Sequence, residues 1–123
     1  MYKLILCISA ANGFIAVALG AFGAHGLKGK IAANLLLAYE TAVQYHFYHV
    51  LALFGVALLM DKMDEKPLLI TSAWLFVAGM IMFSGSLYLL ALGGPKWLGP
   101  VTPIGGVALL AAWLTLLLAA VRQ

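Results

Sequence analysis

Four stretches of this chain, at about residues 4–24, 41–60, 68–92 and 104–121, contain no Asp, Glu, Lys or Arg. Each is close to the roughly 20 apolar residues a helix needs to cross a hydrocarbon core of about 30 Å. No water reaches the backbone at that depth, and a helix satisfies its N–H and C=O groups within the segment. The pattern therefore predicts an all-α fold, a four-helix transmembrane bundle forming a single membrane domain over residues 1–123.

Composition agrees. Of the 123 residues, 65% are hydrophobic and 9% charged, against about 25% charged in soluble domains. The net charge of +3 comes from scattered lysines and one arginine against four acids, with no basic run or aromatic-interleaved patch. That pattern carries no nucleic-acid footprint. Cys7 is the single cysteine, which rules out an internal disulfide, and it is expected as an ordinary buried thiol. The first apolar run, Leu4 to Ala24, is longer than the roughly 7–15 residues of a secretion signal, so it reads as the first span.

The separators are HGLKGKIAANLLLA, DKMDEKP and GGPKWLGPVTP. The first has room for a short helix on the membrane surface. The second is a charged turn, with Pro67 suited to open the next helix. The third, dense in Gly and Pro, is expected to fold inward, with Trp97 as an interfacial anchor. An even number of spans puts both termini on the side of Lys3, Lys62, Lys66 and Arg122, opposite Lys28, Lys30 and Lys96. This slight excess favours cytoplasmic termini.

Small residues recur along the helices. Ser9, Gly13, Ala16, Gly20 and Ala24 mark the first span, and Ser72, Gly79 and Ser86 the third. Gly105, Ala108, Ala112, Thr115 and Ala119 mark the fourth. Such stripes let backbones approach closely where lipid removes the hydrophobic force, so they read as helix seams.

The chemistry lies in YETAVQYHFYHV, Tyr39 to Val50. At about 100° per residue, Tyr39, Ala42, His46 and His49 share one side of the second helix. Glu40, Gln44 and Tyr48 form another stripe, roughly opposite. Both are expected to face neighbouring helices, the surface connection or headgroup water. His25 ends the first span and Thr102 precedes the fourth, so alternating topology gathers all this chemistry at the face opposite the termini. The candidate binding residues are His25, Glu40, Gln44, Tyr45, His46, His49 and Thr102.

The simplest role for these groups is interhelical hydrogen bonding, with Tyr45 one turn before His49 as its partner. His49, a turn deeper than His46, is expected to matter more to the fold, since His46 has water within reach. A metal site drawn from His25, His46, His49 and Glu40 lacks both an HExxH arrangement and a thiolate. Bis-histidine haem needs two histidines on facing helices, such as His25 and His49. Neither pattern is specific, and no metal or cofactor is assigned. Ser84, Ser86 and Thr102 stand outside GxSxG and SxxK, and no phosphate loop occurs, so no catalytic residue is assigned and the chain is not read as an enzyme. Intramembrane ionisable groups often mark proton or ion paths, yet nothing polar continues from Leu51 to Met60. The leading expectation is a non-catalytic protein that binds a lipid or a membrane-protein partner. The alternative is an oligomeric transporter or channel for protons or a small solute. The helices offer more seam than one bundle needs, which leans towards a homo-oligomer.

GFIAVALGAFGAHGL, YETAVQYHFYHVLAL and FSGSLYLLALGGPKWLGPVTPIGG together resemble the YwdK/YgdD-like small membrane proteins, a family of unknown function with a eukaryotic relative. The similarity covers nearly the whole chain. It implies a four-span protein of the bacterial inner membrane, and no activity, substrate, cofactor or site residue.

Overall fold

A computed structural model describes residues 1–123, which form four long helices joined by short turns. Helix α1 spans Tyr2–Phe22 and widens into a π-helical turn at Gly23–Leu27. Helix α2 spans Ala33–Lys62 and α3 spans Lys66–Ala91. A 3-10 turn at Lys96–Leu98 then leads into α4, Val101–Arg122. All four helices are long and apolar enough to cross a membrane. Pro67 sits in the first turn of α3, as expected. The Lys66 ammonium donates to the Met60 carbonyl over 2.7 Å, satisfying one of the acceptors that the end of α2 leaves open.

The surface helix expected between the first two spans does not form. Residues 33–40 contain neither Gly nor Pro, so they propagate as the opening turns of α2. The break falls earlier, where Gly29 takes a left-handed φ of 81° that side chains disfavour. At about 1.5 Å per residue, the 30 residues of α2 reach roughly 45 Å, the full bilayer with its headgroups. The polar stretch of α2 therefore begins in the headgroup layer.

Helix α1 packs on α2, α2 on α3 and α3 on α4, with no comparable packing of α1 on α4. The inner pair bury 39% of their apolar windows, against 17% for α1 and 22% for α4, so the two outer helices carry most of the lipid-facing surface. The main core, including Ile5, Leu53, Val56, Phe76, Leu109 and Ala112, fills much of the bundle. A smaller cluster of Leu27, Tyr39, Ala42, Tyr88 and Ala91 closes the polar end.

The α3–α4 seam falls where the small residues predict, whereas Ala24, at the end of the first stripe, is exposed. A Cβ on Gly105 would lie 2.3 Å from the Phe83 backbone nitrogen, so α3 and α4 approach this closely only because that side chain is missing. The Ser72 hydroxyl donates across the same seam to the Ala112 carbonyl at 2.9 Å, and Ser84 donates from α3 to the Ala42 carbonyl of α2 at 2.9 Å. Cys7, expected to be buried, is exposed. The inward face of α1 runs through Ile5, Ser9 and Ala16, and Cys7 stands two positions, or about 200°, from Ile5 and Ser9 alike.

The Gly/Pro connection also departs from expectation. It packs on α3 and α4 and does not cover the α1–α2 end. Gly93, at φ 94°, and the Gly94 N–H bond to the Leu89 carbonyl turn the chain straight back over the end of α3. Leu98 is the residue that turns inward, while Trp97 stays 68% exposed in the position of an interfacial anchor.

Candidate functional site

The inward stripe of α2 is buried as its periodicity requires: Tyr39, Ala42, His46 and His49 all face protein. A buried imidazole needs a partner for each ring nitrogen, and both histidines have two. The Asn12 side-chain N–H donates to the Ile8 carbonyl at 2.9 Å, which leaves its oxygen towards His46. His46 Nε2–H donates to that oxygen at 3.0 Å, and in the neutral ring Nδ1 accepts from the Tyr88 hydroxyl, also at 3.0 Å. One imidazole thereby joins α1, α2 and α3.

His49 is held differently. Its Nδ1–H donates to the Tyr45 carbonyl at 2.7 Å, and its Nε2 accepts the Trp113 indole N–H at 3.1 Å. A carbonyl only accepts and an indole only donates, so this arrangement admits a single neutral tautomer. At His46 the phenol of Tyr88 can reverse its role, so either protonation state keeps both contacts. The Trp113 and Phe76 rings also pack in a T-shaped pair, centroids 5.1 Å apart.

The expected partnership of Tyr45 with His49 is thus made by the Tyr45 backbone. Its ring stacks beside the imidazole at 6.1 Å and 21°. The water expected within reach of His46 does not distinguish the two residues. His46 and His49 are each 5% exposed, and His46 is held by protein groups rather than by water.

The remaining candidates do not join this network. His25 is exposed on the π-helical turn. Thr102 shares a short hydrogen bond with Ser86 across the α3–α4 seam. No three His, Cys, Asp or Glu side chains converge anywhere in the chain. The second stripe, Glu40, Gln44 and Tyr48, is exposed rather than packed, and Gln44 donates to the Tyr48 hydroxyl one turn on at 2.6 Å. Glu40 and Gln44 line a groove of about 380 Å³ between α1 and α2, whose other wall is Gly20, Gly23 and Ala24. Tyr39 forms its floor. Its ring lies so close to Gly23 that a Cβ there would fall 2.4 Å from a ring carbon, and its hydroxyl donates to the Leu19 carbonyl just before the π-helical turn. A second cleft, of about 410 Å³, lies between α2 and α4 and is bordered by Tyr45, His49, Pro103, Gly106 and Trp113.

Sequence reasoning passed over Asn12, Tyr88 and Trp113. Two of them carried a signal. Asn12 is an amide within an apolar span, and Trp113 is a tryptophan well inside a span rather than at the interface.

Four apolar helices, seams of small residues and a hydrogen-bonded polar end define a small multi-pass membrane protein. The chain belongs to the family described as "Protein of unknown function (DUF423)", whose sequence model matches residues 19–106. It is 48% identical over 120 residues to the UPF0382 membrane protein YwdK of Bacillus subtilis, covering 98% of each chain. It is 44% identical over 117 residues to the UPF0382 membrane protein SAB0533 of Staphylococcus aureus, covering 95% of this chain and 94% of that one. With the UPF0382 inner membrane protein YgdD of Escherichia coli K12 it shares 40% identity over 120 residues, covering 98% of this chain and 91% of the relative. No solved structure matches the chain.

Proposed function

We propose that this protein is a non-catalytic lipid-binding protein, holding one phospholipid with its headgroup in the α1–α2 groove. The observation that carries the reading is the groove itself. Its volume of about 380 Å³ falls within the roughly 300–1,000 Å³ of small-molecule sites. It opens at the headgroup end of α2, and its carboxylate and amide are left outside the internal hydrogen-bond network. Helix α1 and its π-helical turn contribute glycine and alanine there, so the recess is a consequence of sequence.

The rest of the polar chemistry supports a structural role. No buried side-chain nitrogen or oxygen lacks a hydrogen-bond partner. The imidazoles are engaged at both nitrogens, and Ser84 and Ser86 bond backbone carbonyls. No free base faces a free nucleophile in this arrangement. The terminal half of the bundle is filled by apolar side chains, which gives no support to a wet path through one chain.

Native mass spectrometry of protein extracted in mild detergent tests the reading. One phospholipid is expected to stay bound to the wild type and to be lost from Ala24→Leu, which fills the groove from its exposed rim. Lipid-free wild-type protein, or equal retention by the variant, contradicts it.

A further inference from the structure

We propose that the groove selects lipids whose headgroup carries a primary ammonium, phosphatidylethanolamine being the simplest, and that Glu40 and Gln44 are the selecting pair. This rests on the reading of the groove as a lipid site.

Glu40 is a carboxylate without a cation. The chain's one ion pair joins Arg122 to Glu65 at the opposite end of the bundle, and Glu40 makes no hydrogen bond to any side chain. It stands immediately before the uncharged stretch that begins at Thr41, at the depth of the headgroups. Gln44 follows one helical turn later on the same face, so the two side chains are neighbours. One of the two Gln44 amide N–H groups donates to Tyr48, and the side-chain carbonyl oxygen is free to accept. The groove therefore presents one negative charge and acceptors, and no cationic side chain lines it.

A primary ammonium brings one positive charge and three N–H donors, which matches that set. A choline headgroup has the charge but no N–H. Quaternary ammonium groups are recognised by aromatic cages, and this groove has one aromatic ring, Tyr39, already packed edge-on against Tyr88 at 5.3 Å. A glycerol headgroup has hydroxyls but no positive charge to pair with Glu40. Lys28 and Lys30, on the connection between α1 and α2, supply positive charge at the same end of the bundle for a lipid phosphate.

The test is lipid competition on delipidated full-length protein. Phosphatidylethanolamine, phosphatidylcholine and phosphatidylglycerol with identical acyl chains are offered in equal amounts, and bound lipid is read by native mass spectrometry. Phosphatidylethanolamine is expected to be favoured roughly five- to ten-fold, the ratio appropriate to one charge-assisted hydrogen bond at a hydrated interface. Glu40→Gln is expected to bring it down to the level of phosphatidylcholine, with the helical circular dichroism and melting temperature unchanged. Equal binding of the three lipids, a preference for phosphatidylglycerol, or a preference that survives Glu40→Gln overturns the selection while leaving the groove as a lipid site. Absence of any bound lipid overturns both.

Discussion

The Trp113 indole N–H donates to His49 Nε2 over 3.1 Å, and this contact ties α4 to α2, two helices that are not packing neighbours. Side-chain hydrogen bonds in membrane bundles contribute about 0.6 kcal/mol on average and up to about 1.7. Trp113→Phe keeps an aromatic ring against Phe76 and removes the donor. It is expected to lower the unfolding free energy in mixed micelles by about that amount. No measurable change would mean that the bond contributes nothing net.

His46→Ala is expected to destabilise the bundle at least as much as His49→Ala. Both imidazoles are 5% exposed, so burial does not separate them. His46 holds side chains of two other helices, Asn12 and Tyr88, whereas His49 holds one and the backbone of its own helix. Losing His46 strands an amide oxygen and a phenol, at roughly 1–3 kcal/mol for each buried group left unsatisfied. Melting temperatures of the two variants in one detergent decide the order. A larger shift for His49→Ala would restore the ranking by depth.

Two glycine substitutions are expected to act in opposite directions. The Gly105→Ala methyl meets backbone, with Phe83 N at 2.3 Å and the Met82 carbonyl carbon at 2.7 Å, so α3 and α4 must separate. Overpacking of this kind costs about 1–3 kcal/mol. Gly55 has nothing within 4 Å of the added Cβ, and Gly55→Ala gains up to about 1 kcal/mol of helix propensity. Thermal unfolding of both variants checks the sign of each effect.

Tyr39→Phe removes the hydroxyl bonded to the Leu19 carbonyl and leaves the ring against Gly23. The last turn of α1, which leads into the π-helical turn, loses its side-chain hydrogen bond to α2. Amide exchange at Gly23–Leu27 is expected to accelerate while the α3–α4 seam keeps its protection. Uniform acceleration throughout the chain would instead identify Tyr39 as a support of the whole bundle.

Much of this architecture is legible in the chain because spacing alone determines it. Uncharged runs set the spans, and the helical repeat puts Tyr39, His46 and His49 on the buried side. Small residues mark the seams at Gly79, Gly105 and Ala112. Partners are a different matter. Asn12 lies 34 positions from His46 and Trp113 lies 64 positions from His49, and no local pattern encodes such pairings. The outward stripe was misplaced for a related reason. Glu40, Gln44 and Tyr48 are polar, and polarity alone predicted contact, yet Gln44 and Tyr48 satisfy each other along one helix and stay exposed. The groove was hidden because it is made by missing side chains at Gly20, Gly23 and Ala24, of which Gly20 and Ala24 were already accounted for as seam.

The most direct test of a lipid in the α1–α2 groove is photolabelling in native-like bilayers. The probe is phosphatidylethanolamine carrying a diazirine at the top of one acyl chain, and labelled peptides are mapped by mass spectrometry. Labelling is predicted to concentrate on the groove walls, at Gly20, Ala24 and Val43, and to disappear in Ala24→Leu. Labels spread evenly over the exposed outer face of α4, at Leu110, Leu114 and Leu117, as strongly as in the groove, would contradict the account.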